Sequence, residues 1–177
     1  GKEHGSVILY YENGQLQYES NFKNGSLDGL YKSWYENGQL ESEGSCVDGN
    51  VDGIWKGYYE NGQLESERNY KDGKFDGIVK EYYSFGKLKK EVNYKNGVYD
   101  GLYIIYEGLE FGPEKKESEQ VYKLGNIISV EKFKNGQTDY KTCYDDEGNT
   151  VSLERFKNGK PDYKRCYDDE GNTFECE

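Results

Sequence analysis

The sequence predicts an all-β protein, an elongated antiparallel β-meander built from tandem β-hairpin repeats. The block Tyr-Glu-Asn-Gly-Gln-Leu begins at Tyr11, Tyr35 and Tyr59, and a diverged copy begins at Tyr83, so the period is 24 residues. Each unit contains two turn signals, Glu-Asn-Gly and the longer Lys-Asn-Gly-x-x-Asp-Gly. The runs between the turns are about eight residues long, which suits one strand and is short for a helix. A fixed period in this range indicates a repeat architecture.

Both turn signals place Asn-Gly where a tight hairpin needs positive φ angles. Strands joined in this way are antiparallel, and we expect about fifteen of them in chain order. The aspartate of each Asp-Gly pair is expected to bind turn amides. Two apolar positions recur six residues apart in each repeat. Because side chains alternate along a strand, an even spacing places both on the same side and predicts one apolar face for each strand. They are occupied by Leu16 and Phe22, Leu40 and Cys46, Leu64 and Tyr70, and Leu88 and Tyr94.

The composition is acidic and unusually rich in tyrosine. Of 177 residues, 34 are Asp or Glu and 23 are Lys or Arg, which gives a net charge of -11. High charge with few aliphatic residues favours disorder, but 19 tyrosines argue against it and indicate a sheet with both faces partly in water. The negative charge disfavours nucleic acid and anionic membrane surfaces as partners. No run approaches the roughly 20 apolar residues of a transmembrane segment.

The repeats divide the chain into three parts. Residues 1–107 carry the regular 24-residue units, and residues 108–124 form an irregular connecting hairpin. Residues 125–177 hold two degenerate units with a period of 23. We expect this last part to be the C-terminal cap of the same array, and a separate small domain is the alternative.

Four cysteines and one histidine leave little for metal or redox chemistry. No CxxC spacing occurs, so we predict no metal site and no cofactor. Cys166 and Cys176 could face each other across the last hairpin, and both a disulfide and free thiols remain open. The chain begins at Gly1 and contains no Met, so we expect that its natural start has been removed. The compartment is therefore open: cytoplasmic, or periplasmic or extracellular if a signal peptide preceded Gly1.

A stripe of tyrosines is the first candidate binding surface. The aromatic neighbours in pairs such as Trp34-Tyr35 point to opposite faces of a strand, so one of them is available outside the sheet. Rigid rings with a polar tip are favoured at protein interfaces. The alternative is that this stripe only stabilises a thin sheet. The stripe consists of Tyr11, Tyr35, Tyr59 and Tyr83.

A row of glutamates is the second candidate surface, and it suits a partner with a basic patch. The alternative is a solvated row, paired diagonally with Lys32, Lys56 and Lys80 across the hairpins. The Asp-Asp-Glu-Gly runs at 145–148 and 168–171 are interpreted as hairpin turns and not as calcium sites. The glutamates are Glu19, Glu43, Glu67 and Glu91.

Catalytic groups are lacking in the sequence. His4 is the only histidine, and no nucleophile, base and orienting acid can be assembled around it. Paired carboxylates in a single-layer sheet are poorly placed to acquire the raised pKa of a general acid. We predict that the chain is not an enzyme.

The pattern Tyr-x-x-Asn-Gly-x-Leu-x-x-Glu, then Lys-Asn-Gly or Lys-Asp-Gly, Asp-Gly and an aromatic strand resembles the bacterial variant of the MORN repeat. Residues 35–58 and 59–82 carry it almost without departure, and the clear match covers residues 10–106. The resemblance implies an antiparallel meander that serves protein–protein interaction, scaffolding or self-association. Some bacterial relatives are antitoxin-like, and MORN repeats have been linked to membrane lipids.

These observations favour a non-enzymatic protein–protein interaction scaffold. Neutralisation of a partner, as by an antitoxin or immunity protein, is a specific form of this hypothesis. The alternatives are a structural, self-assembling repeat protein and, with less support, a module that binds lipid surfaces.

Overall fold

A computed structural model describes residues 4–158, 160–174 and 176 of the chain. Sixteen strands and no helix occur among these residues, against the fifteen or so strands expected. The chain divides into two compact units, Gly1–Leu88 and Lys89–Glu177. In each unit, strands that follow one another along the chain pair antiparallel, so the predicted all-β antiparallel meander is confirmed.

The first unit contains β1 to β8. Strand β5 is a two-residue strand that pairs with β4, and β6 continues the sheet beside it. The bounds are β1 (Gly5–Tyr10), β2 (Leu16–Lys23), β3 (Ser26–Trp34), β4 (Leu40–Val47), β5 (Asn50–Val51), β6 (Gly53–Tyr58), β7 (Leu64–Lys71) and β8 (Lys74–Tyr82).

The second unit contains the remaining strands. Its regular start and its degenerate end use the same hairpin pairing. The bounds are β9 (Leu88–Lys95), β10 (Val98–Tyr106), β11 (Lys116–Lys123), β12 (Asn126–Lys134), β13 (Gln137–Tyr144), β14 (Thr150–Lys157), β15 (Lys160–Tyr167) and β16 (Thr173–Phe174). The role of residues 125–177 as a cap stays a prediction.

The two turn types use Asn-Gly differently. In the Lys-Asn-Gly turn after β2, Asn24 and Gly25 both have positive φ, 54° and 83°, as a two-residue hairpin requires. In the Glu-Asn-Gly turn after β1, only Gly14 does. Asn13 instead accepts a hydrogen bond from the Gln15 amide through its side chain, at 2.9 Å. The prediction that Asn is needed for its positive φ is therefore correct for the Lys-Asn-Gly turn and wrong for the Glu-Asn-Gly turn.

A β-bulge at the start of β4 interrupts the alternation of side chains. Ser33 pairs with Ser42, but the next residue, Trp34, pairs with Leu40, so Glu41 is an extra residue. Leu40 and Cys46 consequently lie on opposite faces, and the predicted shared apolar face is wrong. The slip recurs at the equivalent place in β7.

A second bulge explains why the period falls from 24 to 23. Between the pairs Phe22–Leu27 and Ser20–Tyr31, strand β3 carries a net two extra residues. At the corresponding place in the second unit, strand β13 carries only one extra residue, Asp139. The turn lengths are unchanged, so the shorter repeat has lost one bulge residue.

Few side chains are fully buried, as expected for a sheet rich in tyrosine. Cys46 is 4% exposed, which confirms the small buried slot inferred from the repeat alignment. Cys166 and Cys176 form a disulfide with a Cα–Cα distance of 5.5 Å, and the other two cysteines are free thiols. The buried apolar residues are Cys46, Val79, Val92 and Ile104, and the buried polar ones are Ser20, Ser33, Ser66, Ser118 and Thr142.

Candidate protein-binding face

The sheet of the first unit has two chemically different faces. Side chains alternate along a strand, so Tyr31 and Ser33 lie on one face of β3 and Lys32 on the other. We call the face of Tyr31, Ser33 and Trp55 the tyrosine face, and the face of Lys32 and Glu43 the ladder face.

The predicted glutamate row lies on the ladder face, where Glu43 and Glu67 each sit between two lysines. Ion pairs join Lys32 to Glu43 at 3.5 Å and Lys56 to Glu67 at 3.9 Å. Both are partly exposed, and each contributes a few tenths of a kcal/mol. The partners lie directly opposite each other, not diagonally, in the order Glu19, Lys32, Glu43, Lys56, Glu67, Lys80.

The ladder face therefore alternates in charge and is not an unbroken acidic strip. The fourth glutamate, Glu91, lies in the second unit, opposite Ile104. Binding of a basic partner by these glutamates stays a prediction.

A tyrosine also takes part in the ladder. The hydroxyl of Tyr58 donates a hydrogen bond to Glu43 Oε1 at 2.9 Å. Burial, with this bond and the charge of Glu43, raises the pKa of Tyr58 to about 12. Tyr58 is therefore a neutral donor at physiological pH.

Three of the four predicted tyrosines link consecutive repeats. Each hydroxyl donates to a backbone carbonyl 23 residues further on, at 2.7 Å in every case. The rings lie on the tyrosine face, since Tyr35 lines a groove there. Tyr83 keeps the turn, and its ring stacks on Phe85 at 5.1 Å. The donor and acceptor pairs are Tyr11 and Trp34, Tyr35 and Tyr58, and Tyr59 and Tyr82.

The asparagine of the same turn makes a second link between repeats. The amide of Asn37 donates to the carbonyl of Glu60 at 3.0 Å, while its oxygen accepts from the Gln39 amide at 2.9 Å. Asn13 and Asn61 make the equivalent bonds. Asparagine is suited to this position because one side chain supplies both a donor and an acceptor.

The opposite ends of the strands are linked by the Lys-Asn-Gly turns. The carboxylate of Asp28 accepts from the backbone amide of Asp48 at 3.4 Å, and Asp52 accepts from Asp72 at 3.2 Å. The amide of Gly49 donates to the carbonyl of Leu27 at 2.8 Å. Aspartate thus binds a turn amide as expected, but the amide belongs to the next repeat.

An open groove of about 580 Å³ runs along the tyrosine face. Its floor consists of small residues in one row across the strands, Ser33, Ser42, Gly57 and Ser66. On the side of the Glu-Asn-Gly turns it is lined by Tyr35, Glu41 and Glu65, and on the other side by Tyr31, Trp55 and Arg68. The bulge residue Glu41 reaches this face because the alternation slips at β4.

The indole of Trp55 is the largest group in the groove, and the sequence interpretation missed it. Its ring stacks on Tyr31 with 5.2 Å between centroids, and Tyr31 stacks on Tyr18 at 6.2 Å. Beneath the indole lies Gly44, where an added Cβ would overlap Cε3 of the ring. The sequence did contain a signal for this contact. Gly44 stands where the neighbouring repeats have Ser20 and Arg68, and Trp55 is larger than its counterparts Tyr31 and Val79.

Two glutamates of the groove affect the ionisation of Tyr35. Burial raises the pKa of Tyr35, and the nearby carboxylates of Glu41 and Glu65 raise it further. Ser33 and Ser42 share a hydrogen bond of 2.8 Å. Ser66 is 1% exposed, and its hydroxyl has no hydrogen-bond partner in the described part of the chain.

The acidic runs near the C-terminus form turns. Asp145 Oδ1 accepts from the amides of Glu147 and Asn149 at 2.9 and 2.8 Å, as a capped hairpin turn requires. Hydrogen bonds from Asn149 hold the pKa of Asp145 below its ordinary value. Among residues 4–158, 160–174 and 176, no group of three potential metal ligands occurs. The same residues contain no helix of the length and hydropathy needed to cross a bilayer.

Comparison with known proteins identifies the repeats. The MORN repeat variant family matches four tandem segments, residues 3–24, 27–45, 51–72 and 75–96. The comparison with curated proteins found no match. The first three segments contain the tyrosine and asparagine donors that link consecutive repeats, and the fourth contains the last acceptors, the carbonyls of Tyr82 and Ser84. The chain belongs to the MORN repeat variant family.

Proposed function

We propose that the chain is a non-enzymatic scaffold that binds a partner protein through the tyrosine face. The observation that carries this proposal is the groove, where Trp55 and Tyr31 lie beside the carboxylates of Glu41 and Glu65. The hydrogen bonds between repeats lie at the strand ends, so the middle of this face is left for a ligand. Aromatic rings that bury large area at low entropic cost are favoured in protein interfaces.

The tyrosine stripe predicted from the sequence would contribute to partner binding through its aromatic rings. The hydroxyls of Tyr11, Tyr35 and Tyr59 are engaged within the chain, so the rings supply contact area rather than polar recognition. The glutamates of the ladder face are the second candidate surface for a basic patch. The tyrosine face is favoured because Glu41 and Glu65 form no ion pair within the described residues, whereas Glu43 and Glu67 each face a lysine.

Neutralisation of a toxin is one form that such binding takes, and it is motivated by the resemblance alone. Self-association is the alternative reading of a repeat surface. Toxin neutralisation and self-association differ in what the chain binds, a toxin or a second copy of itself. One binding experiment therefore addresses both.

The test begins with cross-linking of the immobilised chain in a lysate of the source cells. Each captured protein is identified, purified and titrated against the chain by calorimetry. We expect saturable binding to one partner, with a loss of at least about tenfold for Glu41→Lys, a change on the tyrosine face. The matched change on the ladder face, Glu19→Lys, should alter the affinity by less than about twofold.

The outcomes separate the candidates. No saturable partner, combined with a mass that rises with concentration in light scattering, would establish self-association instead. A strong effect of Glu19→Lys and none of Glu41→Lys would move the binding site to the ladder face.

A further inference from the structure

We propose that the groove on the tyrosine face is a recognition site for an arginine side chain presented by the partner. This inference rests on the proposed function and specifies the chemistry of the ligand. Four features of the groove lead to it: unpaired carboxylates, an exposed aromatic surface, an unpaired buried hydroxyl and the position of the one cation.

The carboxylates supply the charge. Glu41 and Glu65 line the groove, and neither forms an ion pair within the described residues. On the ladder face, by contrast, Glu43 and Glu67 each face a lysine within 4 Å. Their equivalent places in consecutive repeats put both groups on the same side of the groove. An incoming cation would therefore find two acceptors whose charge is not already compensated.

The aromatic side of the groove supplies a stacking surface. Trp55 is half-buried, and its ring is held against Tyr31 with only 23° between the two planes. Gly44 leaves the space that the indole occupies, because a Cβ at this position would overlap Cε3 of the ring. Tryptophan is the strongest aromatic partner for a cation, and guanidinium stacks on it better than ammonium does.

The floor supplies a polar contact. The Ser66 hydroxyl is buried, lines the groove and has no partner in the described part of the chain. A buried hydroxyl without a hydrogen bond carries a free-energy penalty. A guanidinium N–H donated to Ser66 Oγ would remove that penalty. Arginine has five such donors in a planar fork, enough to reach this oxygen and a carboxylate together.

Arg68 determines where in the groove the ligand lies. It is placed directly opposite Trp55 across β6 and β7, and it forms no ion pair within the described residues. Its charge repels a second cation, so the partner's guanidinium would contact the part of the indole away from Arg68 and face Glu41 and Glu65 across the groove. The same residue makes the sign of the ligand charge testable, because its removal should favour a cation and disfavour an anion.

The experiment uses short peptides on the full chain with Trp34→Phe, which leaves Trp55 as the only tryptophan. The probes are acetyl-Gly-X-Gly-amide peptides in which X is arginine, lysine, citrulline or glutamate. The readouts are Trp55 fluorescence and the indole N–H resonance. We expect saturable binding of the arginine peptide, about tenfold weaker binding of its neutral analogue citrulline, and intermediate binding of lysine.

Matched variants test the location. Glu41→Gln with Glu65→Gln should weaken arginine binding by at least about fivefold, while Arg68→Gln should strengthen it. The control is Glu36→Gln with Glu60→Gln, the same charge change at exposed turn positions also 24 residues apart, and it should have less than a twofold effect. Circular dichroism and thermal unfolding establish that each variant is folded.

Three results would overturn the assignment: no Trp55 response to the arginine peptide, tighter binding of lysine, or binding of glutamate that Arg68→Gln abolishes. If the purified partner binds and Glu41→Lys releases it, but no arginine peptide binds, the scaffold stands and the arginine site fails. If the peptides bind and no partner protein saturates the chain, the arginine site stands and the proposed function fails.

Discussion

The hydroxyl of Tyr35 donates a hydrogen bond to the carbonyl oxygen of Tyr58, one repeat further along the chain, at 2.7 Å. The same bond recurs from Tyr11 and from Tyr59. The tyrosine that opens each repeated block is thus a structural link between repeats, and its ring still lies on the tyrosine face. A substitution at this position changes stability and surface together, so the two effects must be separated by design.

Tyr35→Phe removes only the linking hydroxyl and keeps the ring. We expect the free energy of unfolding to fall by about 1 kcal/mol, because the carbonyl of Tyr58 loses its donor. Urea titration followed by circular dichroism measures the change. Tyr31→Phe on the same face is the control, since the Tyr31 ring stacks on Trp55 while its hydroxyl forms no hydrogen bond within the described residues. Equal effects of the two changes would remove the linking role.

Two changes at Asn37 separate its two hydrogen bonds. Asn37→Asp keeps the acceptor for the Gln39 amide and loses the donor to the Glu60 carbonyl, whereas Asn37→Ala loses both. We expect losses of about 1 kcal/mol for aspartate and about 2 kcal/mol for alanine, measured by urea unfolding. If aspartate matches the parent protein, the link between repeats contributes nothing at this site.

Gly44→Ala should destabilise the first unit by about 1–3 kcal/mol, because the new Cβ meets the Trp55 ring. Gly44 does not have a positive φ, so the backbone itself accepts alanine. Adding Trp55→Val, the residue found at this slot as Val79, should relieve the overlap. The cost of Gly44→Ala should then be smaller in the double variant than alone. Strict additivity would show that the indole does not rest on Gly44.

Tyr58 gives the stability a specific alkaline dependence. Its pKa is raised from 10.0 to about 12, so the neutral phenol is the form that the folded state stabilises. The stabilisation is complete below pH 10 and is lost as the pH rises through about 12. Tyr58→Phe should therefore cost about 1 kcal/mol at pH 7, and this difference should shrink above pH 10.

Urea unfolding of both proteins at several pH values tests this dependence. Tyr10→Phe is the matched control, because Tyr10 occupies the same slot two repeats earlier and is 61% exposed. A Tyr58→Phe difference that stays constant to pH 12 would contradict the role of the Glu43 hydrogen bond.

The disulfide predicts a thiol count. In denaturant without reductant, two of the four cysteines should react with a thiol reagent, Cys46 and Cys143. After reduction all four should react. Closing the ten-residue separation between Cys166 and Cys176 stabilises the last hairpin by at most about 2–3 kcal/mol in the chain-entropy view. Faster amide exchange in β15 and β16 of Cys176→Ser would report its loss, and four reactive thiols before reduction would exclude the bond.

The strands and turns could be predicted because they depend on local chemistry. Asn24-Gly25 needs positive φ angles, and that need is visible in two adjacent letters. Which face of the sheet a side chain occupies could be predicted less well. One bulge residue, such as Glu41, moves the residues before it in the strand to the opposite face. The bulge depends on pairing between strands, which the order of residues within one strand does not reveal.

The candidate site was predictable only in part for a similar reason. The slots of Tyr35 and Glu43 were visible by repetition, but their hydrogen-bond partners lie in neighbouring strands. The groove depends on residues that differ between repeats, above all Trp55, Gly44 and Arg68. The repeated positions indicate the strands and turns, whereas these three residues are not repeated and were therefore not recognised.

The links at the strand ends also bear on how such a chain can change in evolution. Deleting residues 35–58 would join Trp34 to Tyr59, and the acceptor for Tyr11 and the donor to Tyr82 would both survive. A whole repeat can thus be gained or lost by recombination without leaving an unmatched hydrogen-bonding group at the junction. The same event would remove Gly44 and Trp55 and so replace the groove. Repeat number and binding specificity are therefore inherited together, while the fold is left intact.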